Sequence, residues 1–137
     1  MISRSKIFYL ILFLFVSIVY SGCQKASING HLDGKWQILE IEKDGENHNV
    51  KDQQLYYNFY MHVCSLSYFG GIFTEGNLKY EGNELWMQFP HIVTITNIEI
   101  LKDYGIFSNP VTFSVEYIDK NKLILKDGDE IVTLRKF

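Results

Sequence analysis

Beyond Asp33 the chain alternates apolar and polar residues in short runs cut by turn signals, a pattern that admits strands and little else. The longest run spans residues 54–68. Leu55, Tyr57, Phe59, Met61 and Val63 fall on one face of it, and Tyr56, Asn58, Tyr60, His62 and Cys64 on the other. Successive side chains leave opposite faces of a pleated strand, so period two is what a half-buried strand requires. The pattern recurs in Leu85, Met87 and Phe89, and again in Val111, Phe113, Val115 and Tyr117. Lys43-Asp44-Gly45-Glu46, Gly70-Gly71, Glu81-Gly82-Asn83, the residues 119–122 and Asp127-Gly128-Asp129 supply turns between the runs. Strands are therefore expected at 34–42, 54–68, 72–80, 84–89, 111–117, 123–126 and 131–136. Residues 96–105 break the rule. Asn97 suits an N-cap, Gly105 a left-handed C-terminal residue, and Ile98, Leu101 and Tyr104 recur at helical spacing, so one short helix is expected there. The fold class is all-β: seven or eight antiparallel strands with one short helix, closed as a barrel or stacked as a sandwich.

The first 22 residues have a different character. Arg4 and Lys6 form a basic head, residues 7–20 are almost all aliphatic or aromatic, and Ser21-Gly22 lead into Cys23. An apolar run of about 14 residues suits a secretory signal and is short for a membrane span. Small residues before a cysteine at this place resemble the lipobox of bacterial lipoproteins, with Tyr20 standing where leucine is commonest. The resemblance implies a signal peptide over 1–22, cleavage before Cys23, and acylation of its thiol with palmitate-like chains. Residues 23–32 then form a polar, lipidated tether. Each buried methylene contributes about 0.8 kcal/mol, so two or three acyl chains hold a protein to a membrane effectively permanently. Gln24 in place of an Asp, and a first acidic residue only at Asp33, imply an outer-membrane lipoprotein facing the periplasm.

Loss of Arg4 and Lys6 leaves 11 basic against 16 acidic side chains, a net charge of −5 with no basic run. A nucleic-acid partner, which demands clustered Lys and Arg, is therefore not expected. With Cys23 acylated, Cys64 is the remaining thiol, and no intramolecular disulfide is available. Stability must come from the core of one domain over 33–137, about 105 residues, enough to bury roughly two-thirds of the unfolded surface.

Chemistry-bearing motifs are missing. No Gly-rich phosphate loop, Gly-x-Ser-x-Gly, His-Glu-x-x-His or Cys-x-x-Cys occurs. His31, His48, His62 and His91 are scattered; His62 and Cys64 share a predicted strand face, but no third ligand stands at a recognisable spacing. Most carboxylates fall in predicted turns, leaving Glu40, Glu75 and Glu116 within strands as catalytic candidates should any point inward. Without a partner in view, no catalytic residue, metal or cofactor is assigned, and the chain is not expected to be an enzyme.

At Leu32-Asp33-Gly34-Lys35-Trp36, opening the first strand, the chain resembles the Gly-x-Trp signature of lipocalins. The tyrosine-rich strand at 55–59, the element Leu101-Lys102-Asp103-Tyr104-Gly105-Ile106 and the ending Leu134-Arg135-Lys136-Phe137 are similar to the small lipocalin-like lipoproteins of Bacteroidetes. The resemblance implies a small barrel with Trp36 packed across its closed end and an arginine from the last strand, Arg135, over the indole. Guanidinium on an indole face contributes about 0.5–2 kcal/mol. It also implies a small apolar or amphipathic ligand in a cavity lined by Tyr57, Phe59, Met61, Leu85, Met87, Phe113 and Val115. The alternative is an envelope interaction module that presents its barrel, or its Tyr56/Tyr60 face, to a protein partner. An eight-stranded barrel has room for packed side chains or for one small ligand, so cavity volume separates the two.

Overall fold

A computed structural model describes residues 3–20 and 28–137, without the side chains of 16–20. The lipidation expected at Cys23 lies outside the described residues. Helix α1 (Arg4–Tyr20) takes up the apolar leader. At 1.5 Å per residue it is about 25 Å long, and no helix among the described residues is long and apolar enough to cross a membrane.

The rest is an antiparallel barrel of β1 (Gly34–Lys43), β2 (Glu46–Asn49), β3 (Tyr56–Tyr60), β4 (Val63–Tyr68), β5 (Gly71–Glu81), β6 (Glu84–Gln88), β7 (Val111–Ile118), β8 (Lys122–Asp127) and β9 (Glu130–Lys136). Each strand pairs with the next around the sheet, and β9 returns to β1, with Trp36 opposite Lys136 and Ile41 opposite Val132. Nine strands occupy eight positions. β3 pairs with the first half of β1 and β2 with the second, on the same side, separated by a 3-10 turn at Lys51–Gln53. Hydrogen bonds from Val50 N to Leu39 O and from Ile38 N to Leu55 O carry the ladder across that gap. The sandwich alternative is thereby set aside.

Three departures from the expected alternation arise from local breaks in a strand, one of them a turn and two of them register shifts. The run at 54–68 is two strands, not one. Tyr60 pairs with Val63 across a two-residue turn at Met61-His62, where Met61 takes φ of 55°. The turn resets the inward phase, so Cys64 and Leu66 point in, while Met61 and Val63 are exposed. His62 thus no longer shares a strand with Cys64, and the pair drops out as metal ligands. The left-handed conformation of Met61 is costly for a side chain with a Cβ. It is held by Asn29, whose buried side-chain amide donates to Met61 O at 2.8 Å and to Asp33 Oδ1 at 2.6 Å. A register shift between Val115 and Tyr117 likewise turns Tyr117 outward, as a bulge does to every later side chain on its strand. A third shift, between Ile38 and Glu40, moves the inward phase of β1 from Trp36 and Ile38 to Ile41.

Helix α2 (Ile95–Asp103) sits in the long connection between β6 and β7. Its N-cap is Thr94, whose hydroxyl accepts from Asn97 N at 3.2 Å, rather than the expected Asn97. Its end is a Schellman turn: Ile106 N donates to Leu101 O and Gly105 N to Lys102 O. Gly105 has φ of 75°, and a Cβ there would meet Val132 Cγ2 at 2.7 Å, so both conformation and space require glycine.

Candidate functional site: the barrel interior and its two closures

The expected cavity residues lie on three strands, β3, β6 and β7, except Met61, which falls in a turn; all but Met61 point into the barrel. There they form core. Tyr57, Leu85, Met87 and Phe113 have no accessible surface, Phe59 keeps 2 % and Val115 9 %. A side chain with no accessible surface touches no space that admits a water molecule, so no ligand-sized void meets these residues. With Ile38, Leu66, Phe89, Leu123, Leu125, Val132 and Leu134 they pack into one continuous hydrophobic cluster. A fully packed interior of this kind has crystal-like density. Met61 instead stands on the outer tip of the β3–β4 turn.

One end of the barrel is closed by residues adjacent in sequence. The chain enters through a 3-10 turn at Gly30–Leu32 that lays Leu32, fully buried, beneath Trp36. Trp36 is also fully buried, and its Nε1 donates to Leu32 O at 2.7 Å, satisfying the one polar atom of the indole. The cation over the ring is Lys136, with Nζ 4.5 Å from the ring, and not Arg135. The reason is strand phase: Val132 and Leu134 point inward, so Lys136 follows them and Arg135 faces out. Arg135 Nε donates to Gln37 Oε1 at 2.9 Å on the outer wall. Lys136 Nζ also donates to the backbone carbonyls of His31 and Asp33. Partial burial pushes its pKa down, against the pull of Asp33. The glycine of the Gly-x-Trp tripeptide acquires a reason too. Gly34 has φ of 128°, and a Cβ there would lie 2.7 Å from both Cε and Nζ of Lys136, blocking the lysine's path to the indole.

The other end is closed by the 89–110 segment. Leu101, Tyr104 and Ile106 are buried in the core, and Tyr104 stacks on Phe73 with centroids 5.8 Å apart. The Tyr57 hydroxyl, deep in the barrel, donates to Tyr104 O. Asn109 fixes the returning chain by a reciprocal pair with the backbone of Phe89, each bond 2.9 Å. A pocket of about 230 Å³ opens beside this plug, lined by Ile98, Leu101, Ile106 and Phe107 among others. Sequence reasoning placed the helix but missed its task as a plug. The available signal was its apolar stripe, which needs something to cover.

Burial sets the electrostatics of the interior. It pushes the Tyr57 phenol well above its ordinary value, with Cys64, Tyr104 and Glu130 adding to the effect. It raises Tyr104 to about 12, with lesser pushes from Tyr68 and Asp103. The Cys64 thiol also goes to about 12; it is buried and donates to Asn77 O at 3.4 Å, so it stays protonated and unreactive. Glu40 lies on the outer wall, where its carboxylate accepts from Asn47 Nδ2, and Glu75 and Glu116 are exposed. None joins a catalytic pair. No group of three His, Cys, Asp or Glu among the described residues is arranged to hold a metal.

The comparisons with known proteins agree with this geometry. A lipocalin-like protein from Bacteroides uniformis ATCC 8492 superposes with a TM-score of 0.67 at 28 % identity, covering 79 % of this chain and 100 % of that one. An uncharacterized protein from Bacteroides eggerthii DSM 20697 superposes with a TM-score of 0.57 at 20 % identity, covering 77 % of this chain and 98 % of that one, and shows the same fold. No curated protein sequence matches the chain. The lipocalin-like domain matches residues 16–137, the whole barrel and its approach. This chain, a closed antiparallel barrel with Trp36 buried at one end, therefore belongs to the lipocalin-like domain family, whose fold is typically a binding module and not an enzyme.

Proposed function

We propose that this chain is a lipid-anchored, non-enzymatic protein of the bacterial envelope whose barrel is a filled scaffold that binds through its outer surface. One observation carries the surface reading: the side chains at the centre of the barrel have no accessible surface, so the interior is occupied by the protein itself. Both ends are sealed by hydrogen-bonded plugs. The anchor is supported by the basic head, the apolar leader and the Ser21-Gly22-Cys23 junction. The second reading is a carrier of a small apolar or amphipathic ligand, admitted when the 89–110 plug moves aside. The family's use as a binding fold and the pocket beside Ile98 and Phe107 favour it.

Metabolic labelling with a radioactive fatty acid tests the anchor. Label on the wild-type protein and none on Cys23→Ala is expected; an unlabelled wild type overturns it. Native mass spectrometry of protein purified from its own host tests the binding mode. A ligand-free mass together with specific cross-links from the outer wall to an envelope component is the expected result. A stoichiometric copurifying lipid would favour the carrier instead.

A further inference from the structure

A concave groove on the outer wall, about 350 Å³ in volume, runs past the ends of β9, β1, β3 and β4. We propose that it is a saccharide-binding site. This deepens the outer-surface reading above and rests on it. The volume falls within the range of about 300–1,000 Å³ typical of small-ligand sites.

Aromatic rings make its walls. Phe69 is 80 % exposed and Phe137 68 % exposed, large apolar areas to leave in water. Neither is accounted for by the packing of the core. Phe137 is nonetheless held in place: its ring meets Tyr56 edge-on at 5.1 Å, Lys35 Nζ lies 5.0 Å from it, and its backbone N donates to Lys35 O. A ring fixed before binding loses little conformational entropy when a ligand arrives.

Planar polar groups surround the rings. Gln37, 4 % exposed, is used up as a brace: Oε1 accepts from Arg135 Nε and Nε2 donates to Lys51 O. The brace fixes the guanidinium, whose terminal nitrogens make no hydrogen bond among the described residues. Asp52 and Gln54 are exposed beside it, and Gln54 holds φ of 53°, a conformation that a residue with a Cβ adopts at a cost. The groove thus offers donors (Arg135, Lys51), an acceptor (Asp52) and a group that is both (Gln54) around apolar faces.

A sugar ring has the complementary chemistry. Each hydroxyl donates and accepts at one atom, and the C–H face of the ring packs on aromatic carbon. The competing occupants fit less well. An acyl chain would strand the charged and amide groups without partners, and a simple anion would meet Asp52 and make no use of the rings. A protein partner needs about 800 Å² of surface, not one small concavity.

The test uses the full chain, ¹⁵N-labelled, in a detergent without a sugar headgroup, titrated separately with cellohexaose, maltohexaose, chitohexaose and hexagalacturonate. At least one is expected to shift the amides of Lys51, Gln54, Phe69, Arg135 and Phe137 in a saturable way. Phe69→Ala and Asp52→Ala, both at exposed positions, should each weaken that binding about fivefold. Trp86→Ala, in a separate outer groove with Lys79 and Glu84, should leave it unchanged. Shifts with none of the four sugars, or shifts insensitive to Phe69→Ala, overturn the proposal. So do shifts centred on Trp86. Cross-links from this groove to an envelope protein with no sugar binding would end the saccharide assignment while leaving the outer-surface reading standing.

Discussion

The two ends of the barrel are closed by different means. At the Trp36 end the plug is local: Leu32 lies four residues before the indole it supports, and their hydrogen bond forms within one turn of chain. At the other end the plug comes from afar, since Tyr57 and Tyr104 are 47 residues apart. Both closures are bordered by exposed apolar residues, Ile28 and Met61 at the Trp36 end and, more fully exposed, Val93 and Ile95 at the approach to α2. A local closure orders a short stretch of chain and a distant one a longer stretch, so the α2 end is the one expected to open first. If either end admits a ligand, it is the α2 end.

The sharpest way to break the comparison is Trp36→Ala. Removing a fully buried indole should cost about 3–5 kcal/mol, much of the stability of a domain this size; urea unfolding measures it. Alkaline titration comes next and bears on the α2 end. Tyr57, Tyr104 and Cys64 have folded-state pKa values above their ordinary values of 9.0 and 10.0. The unfolded chain therefore loses these protons first, and stability should be unchanged below pH 9 and fall as pH rises from there towards 12. A thermal-melt series over pH 7–11 reads this out, and Tyr104→Phe should flatten it. Tyr57→Phe at neutral pH leaves Tyr104 O without its donor, at a cost of about 1–3 kcal/mol. Hydrogen exchange should quicken across 95–106 and stay slow at Trp36; equal quickening at both ends would erase the contrast. The smallest effects fall on the last strand. Lys136→Met, which keeps the stem over Gly34, should cost about 0.5–2 kcal/mol, and Arg135→Met, which takes the donor from the part-buried Gln37 Oε1, about 0.5–1.5 kcal/mol.

The all-β barrel class, the helix between β6 and β7 and the burial of Trp36 were readable because they follow from periodicity and from one large apolar side chain, whereas the short exposed strand β2 has no apolar alternation to announce it. What was not readable shares a physical origin. The break at Met61-His62 carries no Gly, Asn or Pro; the side chain that braces it, Asn29, lies 32 residues away. A register break reverses every later side chain on its strand, so one unseen turn misplaced Met61 and joined His62 to Cys64. The Arg135 assignment failed differently. Val132 and Leu134 already set the phase that makes Lys136 the inward residue, and the resemblance to lipocalins outweighed the alternation. The outer groove was beyond reach because Phe69, Gln54, Arg135 and Phe137 come together only through β-pairing.

The seam between β1 and β9 governs how the molecule is made. Trp36 sits opposite Lys136 across almost the whole domain, so ring closure waits on the last strand to emerge. Until then β1 has a bare edge, its amides open to any extended chain nearby. High contact order predicts folding in milliseconds to seconds, slow against the helical leader. Deleting 130–137 should therefore yield a chain that aggregates through β1, even though most of the hydrophobic residues remain.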